Sequence, residues 1–488
     1  MAPPVSSSQN PQILPSLART RMARSEPGEE IMISGLSGSY PNSLNCYDFR
    51  DKLMTKTHLI NDDNRRWDFK HHEIPDRAGT IYEIEKFDAG FFGVHYEQAT
   101  CMDPMGRILL EKSFEALLDA GLNPAELRGT KTGVFIGVCF SEAEKTWLYE
   151  QLQPQDLCLT GCIRGMLAKR LSYWFGVDGP SYIVDTACSS SIYAIEHAYR
   201  AIRTGDCDAA IVGGCNLCLN PYLTLQLARL GVLNKDGKCK CFDESADGYT
   251  RAEAVVVVIL QKAKDCRRIY CQVVHAKTNC DGYKEQGIAY PSGHMQTELL
   301  KEFYVECNVN PLSIDYVEAH SAGTHVGDPE ELIGIETIFC SNERKTPLLI
   351  GSVKSNIGHA EPVSGLCSIT KVILAMESGY LIPNINFNKP KPSIKALNDG
   401  RIKVVTEKTK WNGGYVPISN FGLGGSNAHV LLKSNTKIKV NYGLPEDDIP
   451  RLVYISGRTE EAVDTIIDDF AKRPMDAEYI GLLHETFK

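Results

Sequence analysis

Seven short apolar runs recur along the chain, and each leads into a turn of glycine, serine or polar residues. Runs of this length are typical of buried strands. In chain order they are KTGVFIGV, SYIVDTAC, CDAAIVGGCNL, AVVVVIL, IDYVEAHSAG, TPLLIGSVKSN and YVPISNFGLGG. Helical periodicity lies between them and is clearest over residues 105–121, 330–340 and 365–376. This alternation predicts an α/β fold, in which reactive side chains collect at strand ends.

Charge and hydropathy argue against two classes of partner. A formal net charge of -9 over 488 residues gives no basic footprint for nucleic acid. The longest apolar run, residues 254–260, is far shorter than the roughly 20 residues that a membrane-spanning helix needs. We therefore expect no nucleic-acid partner and no membrane span.

Seventeen cysteines are scattered along the chain without the close spacing of a secreted disulfide scaffold. This usage predicts a reducing, cytoplasmic environment. Two close pairs, Cys215 with Cys218 and Cys239 with Cys241, lack a second pair at the spacing of a zinc site. We interpret them as buried thiols and expect no metal site.

Changes in composition divide the chain into three parts. Residues 1–28 are rich in proline and serine and carry scattered arginines, which weakly resembles a transit peptide; we interpret them as a disordered tail. Residues 29–434 carry the strand and helix pattern of one large domain. Residues 435–488 begin with a polar connector, and a predicted strand, RLVYIS, and helix, TEEAVDTIIDDFAK, then start a further unit.

One cysteine, Cys188, stands between an apolar run that ends at Val184 and a serine run, residues 189–191, that opens a helix. Helix-end amides are expected to lower the pKa of such a thiol. A strand–nucleophile–helix turn also leaves backbone N–H groups free to bind an oxyanion. A small apolar cysteine packed under a helix would produce the same pattern. These residues alone leave both interpretations open.

Two further strand ends carry groups suited to catalysis. VEAHSAGTHVGDPEE places His320 after an apolar strand and Glu331 on the following helix. VKSNIGHAEPVSG places Lys354 and His359 in a loop that contains glycine. A lone histidine is usually structural, but three reactive side-chain types at the ends of separate strands favour a catalytic site.

Four motifs resemble, in order and spacing, those of the β-ketoacyl synthase family: VDTACSSS, VEAHSAGTHVGDPEE, VKSNIGHAEPVSG and NFGLGGSNAHV. The likeness spans Ile31 to about Leu432 and is greatest to the ketosynthase domain of animal, insect-like fatty acid synthases. The segment FDAGFFGVHYEQATCMDPMGRILLE is similar to the family's dimer-forming and channel-forming region. The resemblance implies a thiolase-like fold, with five αβαβα layers built from two similar halves, and a homodimer.

The resemblance also implies a decarboxylating Claisen condensation and a role for each matched residue. Cys188 would take the growing acyl chain as a thioester. His320 and His359 would hold the malonyl thioester carbonyl and stabilise the enolate formed as carbon dioxide leaves, a task that suits neutral imidazoles. Lys354 would support the histidines through an ion pair with Glu331.

By the same resemblance, the backbone N–H groups of Cys188 and Phe421 would form the oxyanion hole. Gly422 and Gly424 would let the loop after Phe421 approach closely and move as a gate. The substrates would be acyl and malonyl thioesters on the 4′-phosphopantetheine of an acyl carrier protein, in cis or in trans. The chain itself would bind no cofactor, since GLGG lacks the G-x-G-x-x-G spacing of a dinucleotide site.

Four residues depart from the family pattern. Ser321 and Ala322 stand where the family has HGTGT, and we expect them to crowd that turn or to alter its hydrogen bonds. Met105 stands where glutamine is common. Ala254 stands where glycine is common and would be strained if the backbone there had a positive φ. These changes are expected to affect rate and stability more than the type of reaction.

Intact Cys188, His320 and His359 argue against a weak or inactive ketosynthase-like scaffold. A thiolase acting on coenzyme A would need a second catalytic cysteine in a matching glycine turn; the sequence offers no candidate for it, and this absence and the His359 loop favour decarboxylation instead. A polyketide-type condensing enzyme stays open. We expect the chain to be a piece of a larger synthase, because SGRTEEAV resembles the start of the linker to an acyltransferase domain.

Overall fold

The computed structural model describes residues 26–62, 65–67, 71–150, 157–435, 452–472 and 480. Most of the tail predicted over residues 1–28, and much of the connector and further unit predicted over residues 435–488, lie outside the described residues. The described residues form thirteen strands and fourteen α-helices.

The strands are β1 Ile31–Ser39, β2 Thr132–Gly137, β3 Ser181–Val184, β4 Ala209–Asn216, β5 Ala254–Lys262, β6 Cys271–Cys280, β7 Tyr316–Glu318, β8 Leu348–Gly351, β9 Tyr380–Leu381, β10 Ile402–Val404, β11 Thr409–Lys410, β12 Tyr415–Phe421 and β13 Ser426–Ser434. The helices are α1 Cys46–Met54, α2 Tyr96–Cys101, α3 Pro104–Asp119, α4 Glu142–Lys145, α5 Cys158–Cys162, α6 Gly165–Phe175, α7 Ser190–Thr204, α8 Pro221–Arg229, α9 Gly293–Cys307, α10 Gly327–Phe339, α11 Lys354–Ile357, α12 Ser364–Ser378, α13 Lys395–Asn398 and α14 Glu460–Lys472. All seven apolar runs contain or form strands, as the sequence predicted.

Eleven strands form one continuous sheet whose order repeats. The first half reads β1-β5-β4-β2-β3, and the second reads β6-β13-β12-β7-β8, with β10 added at its edge. In each half the first two neighbouring pairs are antiparallel and the last two are parallel. A short pairing of residues 31–33 with residues 271–273 joins the halves. The chain therefore has two similar halves, although their sequences show little likeness.

Helices fill three layers around the two half-sheets. α7 and α12 contact each other and both half-sheets, so they form the middle layer. α3 covers the first half-sheet, and α9, packed on α10, covers the second. In β5, Val255 and Val257 pack with α3, whereas Val256 and Val258 pack with the middle layer. The structure thus confirms the five αβαβα layers of a thiolase-like fold.

At Ala254 the condition for backbone strain is not met, because this residue begins β5 without a positive φ. The predicted strand RLVYIS does not form over its described residues, 452–456, which pair with no other strand. The following helix, α14, forms as predicted. An apolar run becomes a strand only where a sheet edge is available to pair with it.

No helix among the described residues is long and apolar enough to cross a membrane. The run AVVVVIL is instead strand β5, whose residues 254–260 are buried on both faces of the sheet.

Candidate active site

A sharp turn carries Cys188 between strand β3 and helix α7. β3 ends at Val184 and α7 begins at Ser190, so Cys188 lies just before the helix N-terminus, as the sequence predicted. Ala187 has a φ of +53°, a left-handed conformation that costs a non-glycine residue about 1–2 kcal/mol. Such strain persists only where the surrounding contacts hold it, and it is common at functional sites.

The serine run after Cys188 supplies those contacts. Ser189 Oγ donates to the Thr186 carbonyl at 2.9 Å, and Ser190 Oγ donates to the Ala187 carbonyl at 2.6 Å. Ser191 Oγ accepts a hydrogen bond from an amide of α12 at 3.3 Å. The three hydroxyls therefore fix the turn and tie it to the middle layer of the fold.

The loop after β12 packs against the Cys188 turn. Phe421 ends β12, and its ring centroid lies 5.6 Å from that of His320. A Cβ on Gly422 would lie 2.2 Å from the Thr186 carbonyl oxygen, so only glycine permits this approach. Gly424 has open space around it but a φ of +102°, which favours glycine for its conformation. Gly422 is therefore required by a close contact, and Gly424 is favoured by its backbone conformation.

The pKa of Cys188 differs from the sequence expectation. Some solvent reaches the residue, but burial of the thiol, and then the charge of Glu361, raise its pKa to about 12. The amide of Leu423, the charge of Lys354 and the amide of Cys188 itself act in the opposite direction. Burial outweighs these effects, so the expectation of a lowered pKa is wrong. The resting protein holds a thiol, which needs a base before it can act as a nucleophile.

His320 and His359 face each other across the site. His320 follows β7 and His359 follows α11, with ring centroids 5.4 Å apart. Burial lowers the pKa of both imidazoles well below the ordinary value, and the charge of Lys354 lowers it further. Both imidazoles are therefore neutral at pH 7, as the expected task requires. A neutral imidazole can donate one hydrogen bond and accept one proton.

One hydrogen bond indicates the tautomer of His359. The amide of Glu361 donates to Nδ1 of His359 at 3.3 Å. Nδ1 is therefore an acceptor, and we infer that the ring proton is on Nε2. Nδ1 of His320, in contrast, is buried and has no hydrogen-bond partner among the described residues.

The expected ion pair between Lys354 and Glu331 is absent. Lys354 Nζ is fully buried and has no hydrogen-bond partner within the described part of the chain. Glu331 instead accepts hydrogen bonds from the amide of His320 and from the amide and hydroxyl of Ser321, each at 2.8 Å. Three donors thus occupy the carboxylate. Glu331 holds the backbone of His320, and Lys354 acts on the histidines through its charge.

Ser321 changes the hydrogen bonds of its turn without straining the backbone. Its φ is not positive, its hydroxyl binds Glu331, and its carbonyl accepts from Ser352 Oγ at 2.7 Å. Ala322 packs in the hydrophobic core of the second half, and Met105 packs in that of the first. The Ser321 side chain therefore makes a hydrogen bond that a glycine could not make, and backbone strain at this residue is not found.

Three residues at the site were not predicted. The Tyr249 ring centroid lies 5.0 Å from that of His359. Asn420 Nδ2 and Ser364 Oγ donate to the Cys188 carbonyl at 3.1 and 3.3 Å. Asn420 directly precedes Phe421 in the motif NFGLGG, so its position could have been noticed. Ser364 lies in the motif VKSNIGHAEPVSG and could have been noticed in the same way, whereas Tyr249 lies in none of the four motifs and only the folded chain brings it to the site.

The site therefore combines a cysteine in a strained turn, two neutral imidazoles and a buried lysine. Sulfur is a soft nucleophile and a good leaving group, which suits the transfer of an acyl chain. Neutral imidazole N–H groups can stabilise an oxyanion without first losing a proton. The arrangement fits acyl transfer to sulfur followed by chemistry at a second carbonyl group.

Family models match almost the whole chain. The Beta-ketoacyl synthase N-terminal domain matches residues 28–266, and the Beta-ketoacyl synthase C-terminal domain matches residues 270–388. The Ketoacyl-synthetase C-terminal extension matches residues 390–488. The matched ranges include Cys188, His320 and His359.

The curated relatives similar to the chain include both a fatty acid synthase and a polyketide synthase. A fatty acid synthase of Anser anser anser is 50% identical over 351 residues, which cover 72% of this chain and 99% of that sequence. The highly reducing polyketide synthase sorA of Penicillium rubens is 38% identical over 412 residues. That match covers 83% of this chain but 16% of the polyketide synthase, so the chain corresponds to a small part of that protein.

Solved structures of ketosynthases are similar to the fold of this chain. The ketosynthase from module 6 of the bacillaene synthase of Bacillus subtilis 168 has a TM-score of 0.83 at 31% identity, covering 94% of this chain and 80% of that one. An oxazolomycin ketosynthase domain of Streptomyces albus JA3453 has a TM-score of 0.84 at 30% identity, covering 93% of this chain and 83% of that one. Both halves of the fold are therefore shared with these proteins.

Proposed function

Because the chain belongs to the β-ketoacyl synthase family and is a ketosynthase condensing domain, we propose that it extends fatty acyl chains by decarboxylating Claisen condensation. The observation that carries the proposal is the pair of neutral imidazoles, His320 and His359, beside the strained Cys188 turn. A decarboxylating enzyme needs donors for the enolate oxygen, and a nucleophile alone would not supply them.

In the first half-reaction, the Cys188 sulfur attacks the carbonyl carbon of an acyl thioester. The pKa of about 12 means that a base must take the thiol proton, and His320 is a neutral imidazole in the same site whose Nδ1 has no hydrogen-bond partner among the described residues. The new sulfur–carbon bond replaces the bond between the acyl carbon and the sulfur of the carrier's thiol. That thiol leaves with a proton, and the acyl group remains on Cys188.

In the second half-reaction, the imidazoles hold the carbonyl oxygen of a malonyl thioester. The bond to the carboxylate breaks, carbon dioxide leaves, and its electron pair forms an enolate that the N–H donors stabilise. The enolate carbon attacks the acyl carbon on Cys188. The thiolate of Cys188 then leaves and is reprotonated, which gives a 3-ketoacyl thioester and the free enzyme.

The partner in this proposal is an acyl carrier protein, which presents both thioesters on 4′-phosphopantetheine. The enzyme itself is proposed to act as a homodimer. β3 is the edge strand of the first half-sheet, and its Tyr182 is 40% exposed. An unpaired edge strand favours pairing with a copy of itself across a two-fold axis.

A polyketide-type condensing enzyme is the second candidate, because the polyketide synthase of Penicillium rubens and the bacillaene ketosynthase are also similar to the chain. The 50% identity to the goose fatty acid synthase favours the fatty acid type. The two candidates differ in the acyl groups they accept, since a fatty acid type should prefer saturated chains without a 3-oxygen substituent.

The test supplies the purified chain with acyl and malonyl thioesters of a carrier protein, with and without NADPH. We expect a 3-ketoacyl thioester and one equivalent of carbon dioxide in both cases. Product formed without loss of carbon dioxide would contradict decarboxylating condensation, and a reduced product would contradict a purely condensing chain. A preference for acyl groups that carry a 3-oxygen substituent would favour the polyketide type.

We expect Gly422→Ala to lower the rate of acyl transfer to the enzyme by about 10²-fold, because the new Cβ would displace the Cys188 turn. Gly165→Ala is the matched control, since a Cβ there meets no atom within 4 Å. Rates and thermal midpoints are measured for both variants. An unchanged rate in Gly422→Ala would show that the loop does not pack on the turn in solution.

A further inference from the structure

We propose that Arg251 is a positioning residue for His359: its ion pair with Glu361 holds the backbone amide that selects the tautomer of the imidazole. The proposal rests on the proposed function for the reaction in which His359 takes part. The contacts that support it stand independently of that reaction. The Arg251 guanidinium contacts Glu361, Thr224 and Glu142. The backbone on either side of Arg251 is hydrogen-bonded to the backbone of His359.

The backbone around Arg251 holds the main chain of His359. The amide of His359 donates to the Thr250 carbonyl at 2.8 Å, and the amide of Ala252 donates to the His359 carbonyl at 2.9 Å. These two bonds fix the path of the chain through His359. They do not fix the imidazole ring, whose Nδ1 is bound by the amide of Glu361.

Glu361 needs an anchor to present that amide. Its φ is +46°, a left-handed conformation that is rare for a residue other than glycine, asparagine or aspartate. Arg251 provides a two-point anchor, with Nε on Oε1 at 2.8 Å and Nη2 on Oε2 at 3.1 Å. Both residues are more than nine-tenths buried, and a paired fork of this kind fixes orientation as well as distance.

Nη1 of Arg251, which does not contact Glu361, is also held in place. Arg251 Nη1 donates to Thr224 Oγ1 of α8 at 2.9 Å and lies 3.5 Å from Glu142 Oε1 of α4. Glu142 Oε2 in turn accepts from the amides of Leu219 and Asn220 at 2.5 Å. Arg251 is therefore held by two elements outside the catalytic loops. A rigid guanidinium can set the position of Glu361, whereas a mobile one could not.

The same ion pair affects the charge at Cys188. The carboxylate of Glu361 raises the pKa of the Cys188 thiol. The positively charged guanidinium of Arg251 forms an ion pair with that same carboxylate. Loss of Arg251 would leave a buried carboxylate without its two-point partner beside the nucleophile. Arg251 thus acts on the site through Glu361 in both respects, and it does not touch the reacting atoms.

The experiment compares Arg251→Met and Arg251→Lys with wild-type protein that carries 15N-labelled histidine. In wild type, the side-chain spectrum of His359 should show the proton on Nε2. In Arg251→Met, we expect a mixture of both tautomers and a fall in kcat for malonyl decarboxylation of about 10-fold or more, with KM changed less than about 2-fold. Arg251→Lys, which keeps the charge but loses the fork, should lie between the two.

Arg268→Met is the matched control. Arg268 is also a buried arginine in an ion pair, with Nη1 2.6 Å from Asp119 Oδ1, and its partner residue lies on α3. We expect a similar fall in thermal midpoint for both methionine variants, but an unchanged His359 tautomer in Arg268→Met. That contrast separates a positioning role from a general loss of stability.

A single Nε2 tautomer in Arg251→Lys, and in Arg251→Met where that variant folds, would overturn the proposal. So would an unchanged kcat in Arg251→Lys together with a retained tautomer. Absence of decarboxylation by the wild-type protein would contradict the proposed function instead. The tautomer comparison would still test the role of Arg251, because it needs no substrate.

Discussion

Cys188→Ala is expected to lower the rate of 3-ketoacyl formation by about 10⁴-fold or more, because it removes the thiol that carries the acyl chain in the proposed first half-reaction. The donors for the malonyl carbonyl, His320 and His359, remain in place. Decarboxylation of the malonyl thioester should therefore continue, within about 10-fold of the wild-type rate. Product and carbon dioxide are measured separately in the same reaction.

Cys280→Ala is the control for this variant, since Cys280 is an exposed cysteine at the end of β6. It should retain both activities. Condensation by Cys188→Ala at a rate close to that of the control would exclude Cys188 as the nucleophile. Loss of both activities, with an unchanged thermal midpoint, would show that the thiol also takes part in decarboxylation.

His359→Ala is expected to have the second largest effect, a fall in malonyl decarboxylation of about 10²–10³-fold. The substitution removes an N–H donor whose tautomer is set by the Glu361 amide. Acyl loading of Cys188 should change much less, because the enolate forms only in the second half-reaction. His320 remains available as a neutral base for the thiol proton.

The matched control is His294→Ala, because His294 is an exposed histidine on α9. Loading is measured as acyl groups bound per enzyme, and decarboxylation as carbon dioxide released. Equal losses of loading and decarboxylation in His359→Ala would contradict the division of labour between the two half-reactions. They would indicate that His359 is also the principal base for Cys188.

Much of the fold could be predicted because burial leaves a local pattern. The seven apolar runs gave β2, β3, β4, β5, β7, β8 and β12. β6 was missed, because it is partly exposed and its polar residues interrupt the apolar pattern. The pairing of β1 with β5 joins residues more than 200 positions apart, and no local pattern encodes such a contact.

The identities of the site residues could be predicted, whereas their electrostatics could not. Cys188 and His320 follow strands β3 and β7, His359 follows the short helix α11, and motif spacing is enough to find all three. The pKa of Cys188 depends on burial by residues from distant segments and on the charge of Glu361. A helix terminus is visible in the sequence, but the packing that outweighs it is visible only in the folded protein.

The failure of the Lys354–Glu331 prediction has a similar cause. The motif correctly places both residues near the histidines, yet the carboxylate is taken by the amide and hydroxyl of Ser321 and by the amide of His320. A hydrogen-bond partner depends on which donors lie closest after folding. Two of these three donors are backbone amides, which any residue supplies, and the third is the hydroxyl of Ser321.

Detection of the acyl-enzyme tests the central claim most directly. The chain is incubated with an acyl thioester of a carrier protein, quenched in acid, digested and mapped by mass spectrometry. We expect one acyl group on the peptide that contains Cys188, and its disappearance with formation of a 3-ketoacyl thioester when a malonyl thioester is added before the quench. An acyl group on another residue, or an acyl-Cys188 that malonyl thioester does not consume, would contradict the account.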